Sequence, residues 1–168
     1  MEPRYRLAVF QDGIWSPARY EGVFGQEERW LAAAPSGSPL ELLIALLDAM
    51  TPPYRLELEV LEPEGLDARE GELFPVDTFD RDSLVAWLVQ HAEALENDAR
   101  LAVLVHGSQP GERIVYDEHN RLLLNGDQAS FEGLLLANGL LPGDPSVPMP
   151  HSHHYRPQVT GALAALLG

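Results

Sequence analysis

The chain has 168 residues, 45% of them hydrophobic, and sets 26 Asp and Glu against 11 basic residues for a net charge of −15 and a pI near 4.6. Every basic residue is Arg, and there is no Lys and no Cys. That excludes Schiff-base amines and the Walker A phosphate loop, which need Lys, and thiolate nucleophiles and thiolate metal sites, which need Cys.

The composition is that of a single domain over 1–168, long enough to bury roughly 70% of its unfolded surface. A charged fraction of 22% with recurrent apolar residues excludes the disordered class. Apolar runs reach about six residues, far short of the ~18 that a membrane span needs. The start Met1-Glu2-Pro3-Arg4-Tyr5-Arg6 has no signal-peptide pattern, so a soluble cytoplasmic protein is expected. The Arg-for-Lys bias fits a GC-rich genome, and acid excess without Lys also fits a high-salt solvent.

Tyr5, Leu7 and Val9 alternate with Arg4, Arg6 and Ala8, which predicts a first strand. Asp12-Gly13 is a turn signal, and Ser16-Pro17 breaks the run that follows. Further strands are expected over 18–24 and 29–34. Ser38-Pro39 is an N-cap followed by Pro at the first helical position, predicting a helix over 39–50 that ends before Pro52-Pro53. Leucines surround most of that helix, so it needs cover on nearly all sides, from the sheet plus another element or a second subunit in a homodimer.

Tyr54, Leu56, Leu58 and Val60 alternate with Arg55, Glu57 and Glu59, the pattern of a strand with one wet face. A long acidic connection over 62–80, with a short strand at 72–76, leads to a helix over 82–96 capped by Asp80 or Asp82. Leu101 to Val105 is apolar on both faces and predicts a central strand. A hairpin follows, 113–116 and 121–124 around Asp117-Glu118-His119-Asn120. Two short C-terminal helices are expected, one capped by Ser130 and running to Ala137, the other over 160–167. Five prolines make 142–157 an irregular Pro/His-rich arm.

The stretch Leu101 to Gly107 resembles the strand ending in His-Gly that precedes the oxyanion loop of α/β-hydrolases. The nucleophile elbow Gly-x-Ser-x-Gly is missing, since Gly107-Ser108-Gln109-Pro110-Gly111 does not match it, and hydrolase is rejected. No Gly-x-Gly-x-x-Gly phosphate loop is present either. The arginines do not cluster along the chain, so no nucleic-acid partner is expected.

Two chemistries remain. Between Glu57 and Asp82 lie ten acids (57, 59, 62, 64, 67, 70, 72, 77, 80 and 82) against Arg69 and Arg81. Such a surface, with Glu57, Glu59, Glu62, Glu64, Asp67, Glu70 and Glu72 at its centre, steers a basic protein partner. It suggests a non-enzymatic acidic interaction module of the inhibitor, immunity or chaperone kind. The alternative is a divalent-metal-binding protein or metal-dependent enzyme using His151, His153 and His154. In an extended segment His151 and His153 point the same way, and a third ligand must come from elsewhere. His119 at the hairpin tip is expected to be solvated. The fold expected from these elements is α+β, one domain, with a mainly antiparallel or mixed sheet of five to seven strands. Two main helices, 39–50 and 82–96, and the two short C-terminal ones pack against it.

Overall fold

Asp12 and Gly13 both take positive φ, 54° and 82°, the backbone of a tight hairpin turn whose twist matches that of its strands. The turn joins β1 (Leu7–Gln11) to β2 (Ile14–Pro17), with Pro17 opposite Ala8 and Ala18 N donating to Leu7 O at 2.8 Å just beyond. The chain belongs to a computed structural model that describes residues 5–168, so Arg4 at the start of the predicted first strand lies outside the described residues. A second hairpin, β3 (Val23–Glu27) and β4 (Trp30–Ala34), turns at Glu28 with φ 53°.

Helix α1 (Pro39–Leu46) starts where Ser38 Oγ accepts from Glu41 N at 3.1 Å. It tightens into a 3-10 turn over Leu47–Ala49 ahead of the donor-poor Pro52-Pro53 pair. Strands β5 (Tyr54–Val60) and β6 (Leu73–Phe79) lead to α2 (Arg81–Glu96), which Asp80 caps through Ser83 N at 2.8 Å. Then follow β7 (Leu101–His106), β8 (Arg113–Tyr116), β9 (Leu122–Asn125), α3 (Gln128–Ala137), β10 (Leu141–Pro142), β11 (His151–His153) and α4 (Thr160–Leu167).

The class is α+β, but two expectations need correction. The main sheet has eight strands, not five to seven, in the order β10-β3-β4-β9-β8-β7-β5-β6. The extra strands come from the segments the sequence marks least. The run expected at 18–24 is instead β3, starting at Val23, and the two-residue β10 adds itself in parallel beside it. A separate three-stranded sheet, β11-β1-β2, draws its outer strand from the Pro-rich arm. Nor do the helices divide into two main and two short. Only α2 is long, with 16 residues. The 39–50 helix stops at Leu46 after eight, and α3 gains three residues, for ten in all, because Asp127, not Ser130, is its N-cap.

Residues 31, 33, 56, 58, 60, 101, 103, 105, 114, 116, 122 and 124 share one core with the helices. Leu40, Leu43, Leu46 and Leu47 are buried in it, so α1 is covered within the chain by α2, α3 and the sheet. The other face carries a smaller cluster of Ala102, Leu104 and Val115 under Trp30, Leu61 and Leu123. No helix is long and apolar enough to cross a membrane among the described residues.

Candidate metal centre

Arginine does the positioning. Arg6 is fully buried, donates from Nε to Leu95 O at 2.5 Å and from Nη1 to Asp117 O at 3.1 Å, and lies 3.8 Å over the Tyr116 ring. It therefore ties β1 to the end of α2 and to the β8–β9 turn. Arg121 grips the same turn from Nε to Asp117 Oδ2 at 3.2 Å. Its Nη1 reaches Glu27 Oε2 at 2.7 Å and Pro145 O at 3.1 Å, pinning the start of the arm. Arg100 holds the arm's end: it pairs twice with Asp98, at 2.9 and 2.7 Å, and reaches Thr160 Oγ1, while Asp98 also accepts from Arg156 N at 2.7 Å. Several donors in a rigid fork suit these buried sites, which an ammonium could not fill alike.

Held so, the arm runs antiparallel to β1, with Leu7 opposite His153 and Val9 opposite His151. His151 and His153 flank Ser152 and present their rings on one side of the strand. Opposite them stands His119, from the β8–β9 turn. That turn is shaped by Asn120 at φ 62°, whose Oδ1 accepts from Tyr116 OH at 2.7 Å, and by Tyr20 OH, which donates to His119 O at 2.7 Å. The ring centroids are 5.0 Å (119–153), 5.2 Å (119–151) and 5.4 Å (151–153) apart. One nitrogen from each lies within 4.8 Å of the others.

The donor chemistry fits. His151 Nδ1 lies 3.2 Å from Pro148 O, which can only accept, so the neutral tautomer that satisfies this contact offers Nε2 as its ligand atom. His119 Nδ1 faces Asp117 Oδ2 at 3.6 Å and Glu118 Oε1 at 3.7 Å, the outer carboxylates that metal-bound imidazoles commonly have. His153 Nε2 is buried with no hydrogen-bond partner. Burial and the neighbouring His119 hold the His153 pKa below the usual histidine value, favouring the neutral ligand form. Burial would lower His119 too, but the hydrogen bond and charge of Asp117, with the charge of Glu118, outweigh it and raise the pKa. Asp117 is itself taken up by His119 N, Arg121 N and the Arg121 guanidinium, which leaves the imidazoles and Glu118 as the available donors.

His154, the third histidine of the sequence triplet, is not in the cluster. It stacks on Tyr5 with centroids 4.2 Å apart, and its backbone bonds Arg6 O and Ala99 N. His119 replaces it, although a hairpin-tip histidine gives no sign of this in sequence. Only the contact to β11 reveals it.

The acidic stretch is dispersed. Glu57 accepts from the His106 ring at 3.1 Å and pairs with Arg55 at 3.4 Å, and Glu59 follows on the same face of β5. Glu62, Glu72, Asp77 and Asp80 each accept a nearby backbone N–H. Glu64, Asp67, Glu70 and Glu72 are exposed on the β5–β6 connection. Comparison with protein-family models, with curated proteins and with solved structures finds no match.

Proposed function

We propose that the protein binds a divalent transition metal, Zn²⁺ in the first instance, through His119, His151 and His153. The observation that carries this reading is the convergence of three imidazoles from two distant segments, with His153 Nε2 buried and unpartnered. At Zn–N distances near 2.0–2.1 Å, tetrahedral ligand atoms stand about 3.3 Å apart, so the three nitrogens have to close by roughly 1.5 Å from their outer limit. Ring rotations would have to supply that. Three protein ligands leave a fourth position for water or a substrate group, and the bound metal would staple the Pro-rich arm to the sheet.

Zinc titrated into tag-free, chelator-stripped protein tests the reading. Binding to the folded state at about 100 times Kd adds about 2.7 kcal/mol, which raises Tm by about 5–10 °C for a chain of this size. An unchanged Tm with Zn²⁺, Ni²⁺ and Cu²⁺ alike sinks it.

A second reading rests on Glu64, Asp67, Glu70 and Glu72, exposed together on one connection with Arg69 the single cation of the loop. Such a surface docks a basic protein by electrostatic steering. Capture of that partner that is equally strong at 50 mM and 500 mM salt would remove it.

A further inference from the structure

The far face of the sheet carries a second constellation that the histidines do not use. Register places Arg55 opposite His106, His106 opposite Arg113, and Arg113 opposite Asn125, one polar row across β5, β7, β8 and β9. Neighbouring strands are about 4.8 Å apart, so the Arg55 and Arg113 backbones stand about 10 Å from each other. The row lines a cleft of about 560 Å³ together with Arg29, Trp30 and the loop 107–112.

Three of the 11 arginines thus meet in one cleft of a chain whose acids outnumber them by more than two to one. Arg29 and Arg113 pair with no carboxylate among the described residues; both lie near the Trp30 ring, with Cζ 5.8 and 5.1 Å from its centroid. Arg113 Nε is buried without a hydrogen-bond partner. The carboxylate lining the cleft is committed elsewhere. Glu112 accepts from Thr51 N and Oγ1, each at 3.0 Å, and from Gln109 N at 3.3 Å, and its carboxylate occupies the space a Cβ at Gly107 would need. Glu57 is shared between His106 and Arg55. Arg29 and Arg113, gathered without counter-charge among the described residues, repel one another, and the planar forks of guanidiniums match oxyanions.

We propose that this cleft binds a small organic or inorganic dianion whose two oxyanion groups are bridged over a few atoms, one end taken by Arg29 and Arg113, the other by Arg55. His106, between Arg55 and Arg113, and Asn125, on the far side of Arg113, supply neutral hydrogen bonds. The site is independent of the histidine cluster, to which it contributes no residue.

Isothermal titration of the protein with inorganic pyrophosphate and with succinate, at 150 mM salt, tests this and separates phosphate from carboxylate ligands. Kd below about 1 mM is expected for at least one probe. Arg113→Gln and Arg55→Gln should each weaken it about tenfold or more, the loss of one charge-assisted contact. Arg69→Gln, remote from the cleft, should leave it unchanged, and so should His119→Gln, which removes the other site. Circular dichroism of each variant establishes that it is folded. No binding of either probe to the wild-type protein, or equal weakening by Arg69→Gln and Arg113→Gln, overturns the proposal.

Discussion

The acidic stretch 57–82 and the histidine cluster are opposite cases of how sequence density relates to spatial density. Ten acids crowd 26 consecutive residues, yet the fold sends them to a sheet face, a loop and a helix N-terminus, where several serve as local caps. His119 and His151 are 32 residues apart, yet their rings stand 5.2 Å from each other. A run of like charges separates because repulsion and hydration favour separation. Ligands gather only where something holds them, and here Arg6, Arg100 and Arg121 hold the strands, the turn and the arm together.

The sharpest way to break this contrast is to remove the counter-ion under the arm. Asp98→Ala leaves Arg100 buried without its carboxylate and frees Arg156 N, which should cost about 3–5 kcal/mol. Urea denaturation measures it, and a cost near zero would mean the arm is not held as described. Next in size, Ser38→Ala removes the cap of α1 and its contact with Glu96, a loss of about 1 kcal/mol in the same assay.

A smaller effect appears with pH. Burial lowers the pKa of His106, outweighing the pull of Glu57 in the other direction. With its folded pKa below the unfolded one, the histidine contributes stability that is present above about pH 6.5 and is lost as pH falls through the folded value. His106→Gln should therefore flatten the stability profile below pH 6.5. A slope identical to wild type would contradict the burial account. Smallest of all, Asp67→Asn with Glu70→Gln, both exposed loop positions, should leave the denaturation midpoint unmoved, whereas Asp98→Ala shifts it strongly.

Local chemistry was legible in the sequence wherever one element decides it. The Ser38-Pro39 start, the alternation of β5, the apolar β7 and the hairpin around 117–120 can all be read from neighbours in the chain. The third strand of the small sheet was hidden, because β11 has three polar residues and exists only through its pairing with β1. The alternation of His151 and His153 in an extended segment was legible. His119 was not, since nothing in Glu118-His119-Asn120 tells which strand will lie across from it. The arginine row was invisible for the same reason: Arg29, Arg55 and Arg113 share a cleft only through cross-strand register.

The proposed metal site turns on whether the third ligand is His119 or the adjacent His154. Zinc content and zinc-induced thermal shift of His119→Gln and His154→Gln, purified without a tag and compared side by side, test it most directly. His119→Gln should lose bound zinc and the shift, while His154→Gln should keep both. Retention by His119→Gln with loss in His154→Gln would contradict it.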